Sequence, residues 1–186
     1  MYIACPENES PKMERMTPRR AFAVAMAGLI AIGAVAYLSS YATATIRIQV
    51  RGSVLEWQHL NVVFSDIQVH RADAGNASGW NSLPLSTPTI DFASLGNLTQ
   101  LLSLDRAAPG KYTQLRIVVS SVDGVLADGT HVTLTVPDGV LKTVTPFDLP
   151  GGSSVTITLD FDLAASIHGA GDKWIFQPVL GAIQIS

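Results

Sequence analysis

Asp160 and Asp162 are the side chains whose type and spacing point most directly to chemistry. Two residues apart in an alternating segment, they project to one side about 7 Å apart, a separation that a cation or a glycan hydroxyl could use. No dense run of oxygen ligands of the calcium-loop kind accompanies them. Solvated carboxylates, or carboxylates paired with a neighbouring Lys or Arg, are the expectation. His59, His70, His131 and His168 stand far apart with no short-spaced metal pair, so no structural zinc site is expected. Ser166, His168 and Asp172 are the residue types of a hydrolase triad. However, no glycine-flanked nucleophile elbow surrounds Ser166, and residues so near in sequence seldom form a triad. A turn is expected there instead.

Trp57, Trp80 and Trp174 could stack sugars or cap a core. Arg116 is expected in a cross-strand surface pair, opposite Tyr112 or Asp160, rather than as a binding clamp. Asn76-Ala77-Ser78 and Asn97-Leu98-Thr99 match the glycosylation acceptor pattern, which matters only where the host glycosylates exported protein. The expectation is a protein that is not an enzyme, with no catalytic, cofactor-binding or metal-binding residues and no cofactor.

The elements that would position these side chains are strands. Ile46, Ile48 and Val50 alternate with Arg47, Gln49 and Arg51, the period of two expected where one face meets a core and the other meets water. Val62 and Phe64 are followed by Ile67 and Val69 with changed parity, so one extra residue near Ser65 predicts a bulge. Leu115, Ile117 and Val119 point opposite to Gln114, Arg116 and Val118. Asp123-Gly124 and Asp128-Gly129 are turn-forming pairs, and the second leads into Val132, Leu134 and Val136, which predicts a hairpin. Val155, Ile157, Leu159, Phe161 and Leu163 alternate with Thr156, Thr158, Asp160 and Asp162, the clearest amphipathic strand. Trp174 to Leu180 and Ala182 to Ile185 supply closing strands, with Pro178 at an edge or bend. Ser94 to Asp105 reads equally as a short helix or as a strand with a leucine-rich loop. Seven to nine strands with frequent turns predict a mainly β fold, an antiparallel two-sheet sandwich of immunoglobulin-like or transthyretin-like type.

Ahead of the strands, Ala21 to Ile46 run for 26 positions without a charge. As a helix, Ala21 to Leu38 would span about 27 Å, close to the bilayer's hydrocarbon thickness. Arg15, Arg19 and Arg20 precede it, which places the amino terminus inside. Three fates fit. The segment stays as a signal anchor, with Tyr37 and Tyr41 near the outer interface; it is cleaved after Ala42-Thr43-Ala44, leaving Thr45 first; or it is processed between Ala21 and Phe22, as in archaeal prepilins and archaellins. Ala23, Ala27 and Ala31 repeat at a spacing that lets helices approach closely. The expected organisation is a cytoplasmic tail over 1–20, a transmembrane or signal-anchor helix over 21–44, and an extracytoplasmic domain over 45–186. Cys5, the single cysteine, falls on the inner side, so the outer domain holds together without a disulfide.

Beyond the helix, eight Lys or Arg face twelve Asp or Glu, a formal balance of −4. No basic stripe exists to track a phosphate backbone, which argues against nucleic acid as a partner. Several short motifs resemble a known family: Gly79-Trp80 with Leu83, Ile90-Asp91-Phe92, Pro109 to Arg116, Leu159-Asp160-Phe161-Asp162 with Ser166-Ile167, and Phe176-Gln177-Pro178-Val179. Together they look like the domain-of-unknown-function 4382 family of exported prokaryotic proteins, over roughly Ile46 to Ile185. Arg51-Gly52-Ser53 departs from the Asp-Ala-Pro usual there. The resemblance implies the fold and an exported location, and supplies no activity. The functional expectation is a membrane-anchored, non-catalytic interaction or structural module, with the membrane and a cell-surface protein or glycan as partners and self-association through the helix. The alternatives are a filament subunit and a carbohydrate-binding module.

Overall fold

The computed structural model describes residues 43–54, 56–73, 79–171 and 173–186. The expected tail, the expected anchor up to residue 42, Cys5, Asn76-Ala77-Ser78 and Asp172 lie outside them. Among the described residues no helix is long and apolar enough to cross a membrane.

Among the described residues thirteen strands, more than the seven to nine expected, form two sheets. In the smaller, β1 (Ala44–Arg51) lies between β10 (Ser154–Phe161) and β5 (Gln100–Ala107), with β13 (Leu180–Ile185) outside β10. The larger is built on β2 (Trp57–Arg71) and β6 (Gly110–Leu126), which pair along almost their whole length. The far edge of β6 is covered in turn by β9 (Phe147–Leu149), β8 (Val140–Thr143) and β7 (His131–Thr135). β2 carries β4 (Thr89–Asp91) and β3 (Trp80–Leu83), while β12 (Lys173–Phe176) and β11 (Ile167–Ala170) extend β7. Two one-turn helices, α1 (Phe92–Leu95) and α2 (Leu163–Ser166), complete the described elements.

The period of two decides which side chains are inside. Ile46, Ile48 and Val50 of β1, Val155, Ile157, Leu159 and Phe161 of β10, and Leu115, Ile117 and Val119 of β6 are all buried. The inner faces of both sheets share one core, in which Phe161 meets Phe64 edge-on at 5.9 Å and Phe92 at 5.3 Å between ring centroids. The ladder between β2 and β6 shifts register between Phe64 and Asp66, leaving Ser65 exposed. That extra residue turns both Val62/Phe64 and Ile67/Val69 inward, as the parity change predicts. The ambiguous stretch after Ser94 divides into the end of α1, a loop, and β5.

Two expectations are corrected. The sheets are mixed and not purely antiparallel, because β1 runs parallel to β10 and β12 parallel to β7. Alternation reports which face is wet, and it is blind to the direction of a partner distant in sequence. Asp123-Gly124 is no turn: both residues lie within β6 and pair with β2 on one side and β7 on the other, and the hairpin turn falls at Asp128-Gly129. Gly124 is there for space, since a Cβ would stand 2.6 Å from the His59 carbonyl oxygen and 2.7 Å from the Trp57 ring. Ala44, the last residue of the expected anchor span, lies in β1, buried at 2% exposure and paired with Ala107.

Tyr112 marks the corner where the chain enters β6. Its hydroxyl donates to the Ala108 carbonyl four residues upstream at 2.8 Å, a tie-back of the kind that braces immunoglobulin-type corners. The ring stacks on Phe147 at 5.1 Å, and burial pushes the phenol pKa up.

Candidate functional site

Asp160 and Asp162 do not act as a pair. Asp160 closes the end of β10 by accepting from the Arg51 guanidinium on adjacent β1 at 2.8 Å. Asp162 has left the strand and caps α2, its carboxylate accepting from the Ala165 amide at 2.9 Å. The cap satisfies a backbone donor that a one-turn helix otherwise leaves bare. Ser166 is completely buried. Its hydroxyl donates to the Asp162 carbonyl and accepts from the Val179 amide, while the Gln177 amide donates to the Ser166 carbonyl. Ser166 thus locks the Gln177–Val179 segment onto α2, and His168 stands exposed on β11.

The histidines are also dispersed. His70 bonds Thr113 and meets the Trp80 ring edge-on at 5.0 Å. His131 is exposed on β7. Among the described residues no group of three or more His, Cys, Asp or Glu is placed to hold a metal ion. Arg116 forms neither expected pair. Its guanidinium lies 4.1 Å from the Trp80 ring centre and donates to Gln68, so Trp80 is covered by a cation and a histidine. Asn97 and Leu98 are exposed in the loop after α1.

His59 and Asp91 form a cluster that sequence spacing does not reveal. Asp91 ends β4 and caps α1; its carboxylate contacts His59 Nδ1 at 2.7 Å and accepts from the Ser94 hydroxyl at 2.6 Å. The Leu60 and Ala93 amides donate to its other oxygen. Partial burial raises the Asp91 pKa, and the hydrogen bonds from His59, Ser94, Leu60 and Ala93 outweigh it, bringing the group down to about 2. The serine binds the carboxylate and not the imidazole, so the order of contacts is that of a brace between β2 and α1. A depressed carboxyl pKa stabilises the fold above its unfolded value of 3.8, and that stability is lost as pH falls through about 2. In acid titration of unfolding, Asp91→Asn should therefore remove about 1–2 kcal/mol of the loss between roughly pH 4 and pH 2.

A cleft of about 430 Å³ is lined by Ser53, Val54, Glu56, Trp57, Leu163, Ala164, Ile167 and Trp174. It lies beside α2, where β2 and β12 place Trp57 and Trp174 edge to face, 5.3 Å apart with planes at 75°. Gly124 lets Trp57 sink until it is 8% exposed, while Trp174 is partly buried over Gly169. The structure thus joins two of the three tryptophans and leaves Trp80 elsewhere. Glu56, Leu163 and Ala164 carry no motif of their own; Asp162 ahead of an apolar, alanine-rich turn is a cap signal that could have located α2.

A family model described as Domain of unknown function (DUF4382) matches residues 43–178. No curated protein and no solved structure matches the chain.

Proposed function

The chain belongs to the family described as Domain of unknown function (DUF4382), and from that premise we propose that it is a membrane-anchored protein whose two-sheet sandwich stands outside the cell as a non-catalytic interaction module. The observation that carries this reading is the employment of the reactive side chains. Asp160, Asp162, Ser166 and the His59–Asp91 pair each complete a strand end, a helix cap or a loop lock. Meanwhile the Trp57–Trp174 cleft stays open. Address comes from the uncharged run over Ala21 to Ile46 behind three arginines.

The position of Ala44 bears on the fate of the run. Cleavage after Ala44 would remove a buried residue paired with Ala107, just ahead of the Thr45 amide that donates to the Ser153 carbonyl at 2.8 Å. A retained anchor leaves β1 whole. Mass spectrometry of the amino terminus of the native protein, purified from membranes, tests this directly. A chain that retains residues 1–44 is the expected result. Phe22 as the first residue would replace the anchor with a filament helix, and Thr45 would mean a secreted domain.

A further inference from the structure

The cleft beside α2 has a more specific chemistry than its apolar content. Its two indole planes, 75° apart, make a corner where a compact group can rest on the electron-rich face of one ring while touching the other. Among the described residues, Glu56 is the one charged side chain in the lining, and no Lys, Arg or His joins it there. Glu56 is exposed, and among the described residues no cationic side chain pairs with it. Its backbone is held in place, the carbonyl accepting from the Ala127 amide at 3.2 Å. A carboxylate at the mouth of an aromatic corner repels anions. Ser53 and Glu56 alone give too few polar side chains to orient a sugar ring.

We infer that this cleft binds a methylated ammonium group, the cation resting against Trp174 and Trp57 with Glu56 balancing its charge. About 430 Å³ accommodates a trimethylammonium head and a short stem. Val54, Leu163 and Ile167 supply the apolar wall against which the methyl groups are desolvated. This ligand class rests on the interaction-module reading above.

The test uses the full chain in detergent, with choline, its neutral isostere 3,3-dimethylbutan-1-ol and methyl β-glucoside as probes, followed by tryptophan fluorescence and calorimetry. Choline should bind saturably, with the neutral isostere at least about tenfold weaker. Glu56→Gln, at an exposed position, should weaken choline about tenfold and leave the isostere unchanged. Trp174→Ala should weaken both. Equal binding of choline and the isostere, an unaltered choline affinity in Glu56→Gln, or no saturation by choline would each overturn the inference. Saturation by the glucoside alone would overturn it too, yet would leave the interaction-module reading standing with a different ligand.

Discussion

Phe161→Ala should lower the unfolding free energy by about 3–5 kcal/mol, read from urea denaturation of the full chain followed by tryptophan fluorescence. Phe161 ends β10 at 2% exposure and contacts Phe64 from the larger sheet and Phe92 from α1. Truncation leaves a cavity between the sheets that neither neighbour fills without giving up its own rotamer. Backbone packing blocks collapse as well. Gly52 approaches the Phe161 carbonyl so closely that a Cβ there would stand 2.9 Å from it. As a reference, Val144→Ala at a 78% exposed site should change stability by less than about 0.5 kcal/mol. A loss below about 1 kcal/mol for Phe161→Ala would mean that the two sheets do not share this core.

Gly124→Ala should cost about 3 kcal/mol, the upper end for overpacking, and should also disturb the cleft. The added methyl meets the His59 carbonyl oxygen at 2.6 Å and two atoms of the Trp57 ring at 2.7 and 2.8 Å. Neither neighbour is the end of a flexible side chain. His59 belongs to the β2–β6 ladder, and the Trp57 ring is buried against Trp174. Relief therefore requires Trp57 to swing toward the cleft or the ladder to open. Denaturation gives the first quantity, and a shift in the tryptophan emission maximum of the folded variant reports the second. An unchanged emission spectrum with full stability would contradict this packing.

These expectations show where the sequence was readable. Whenever one face of a strand is buried, alternation must place residues such as Ile46, Ile48 and Val50 inside, and the parity change at Ser65 is a bulge seen in one dimension. Asp123-Gly124 carried the opposite lesson. A glycine beside an aspartate has the composition of a turn, but this one is selected by an aromatic ring from another strand, a contact invisible without the register. The same holds for strand direction: nothing in Thr156, Thr158 and Asp160 distinguishes a parallel from an antiparallel neighbour. At the candidate site, the tryptophans were recognisable as surfaces, whereas their pairing depends on β2 and β12 being brought together through β6 and β7. The His59–Asp91 contact joins residues 32 apart, and its only local trace is the Asp91-to-Ser94 cap pattern. The family motifs gain physical meanings in the same way. Tyr112 braces a corner, and Ser166 ties the Gln177–Val179 segment to α2.

The proposed display of the domain outside the cell rests on orientation, which the single cysteine makes measurable. Cys5 lies ahead of the uncharged run, and Val144→Cys adds a thiol at an exposed site of the domain. Intact cells are treated with a membrane-impermeant maleimide, and the labelled thiols are mapped by peptide mass spectrometry. Labelling is expected at position 144 in intact cells and at Cys5 only after lysis. Labelling of Cys5 with protection at 144, or protection of both until lysis, would contradict it.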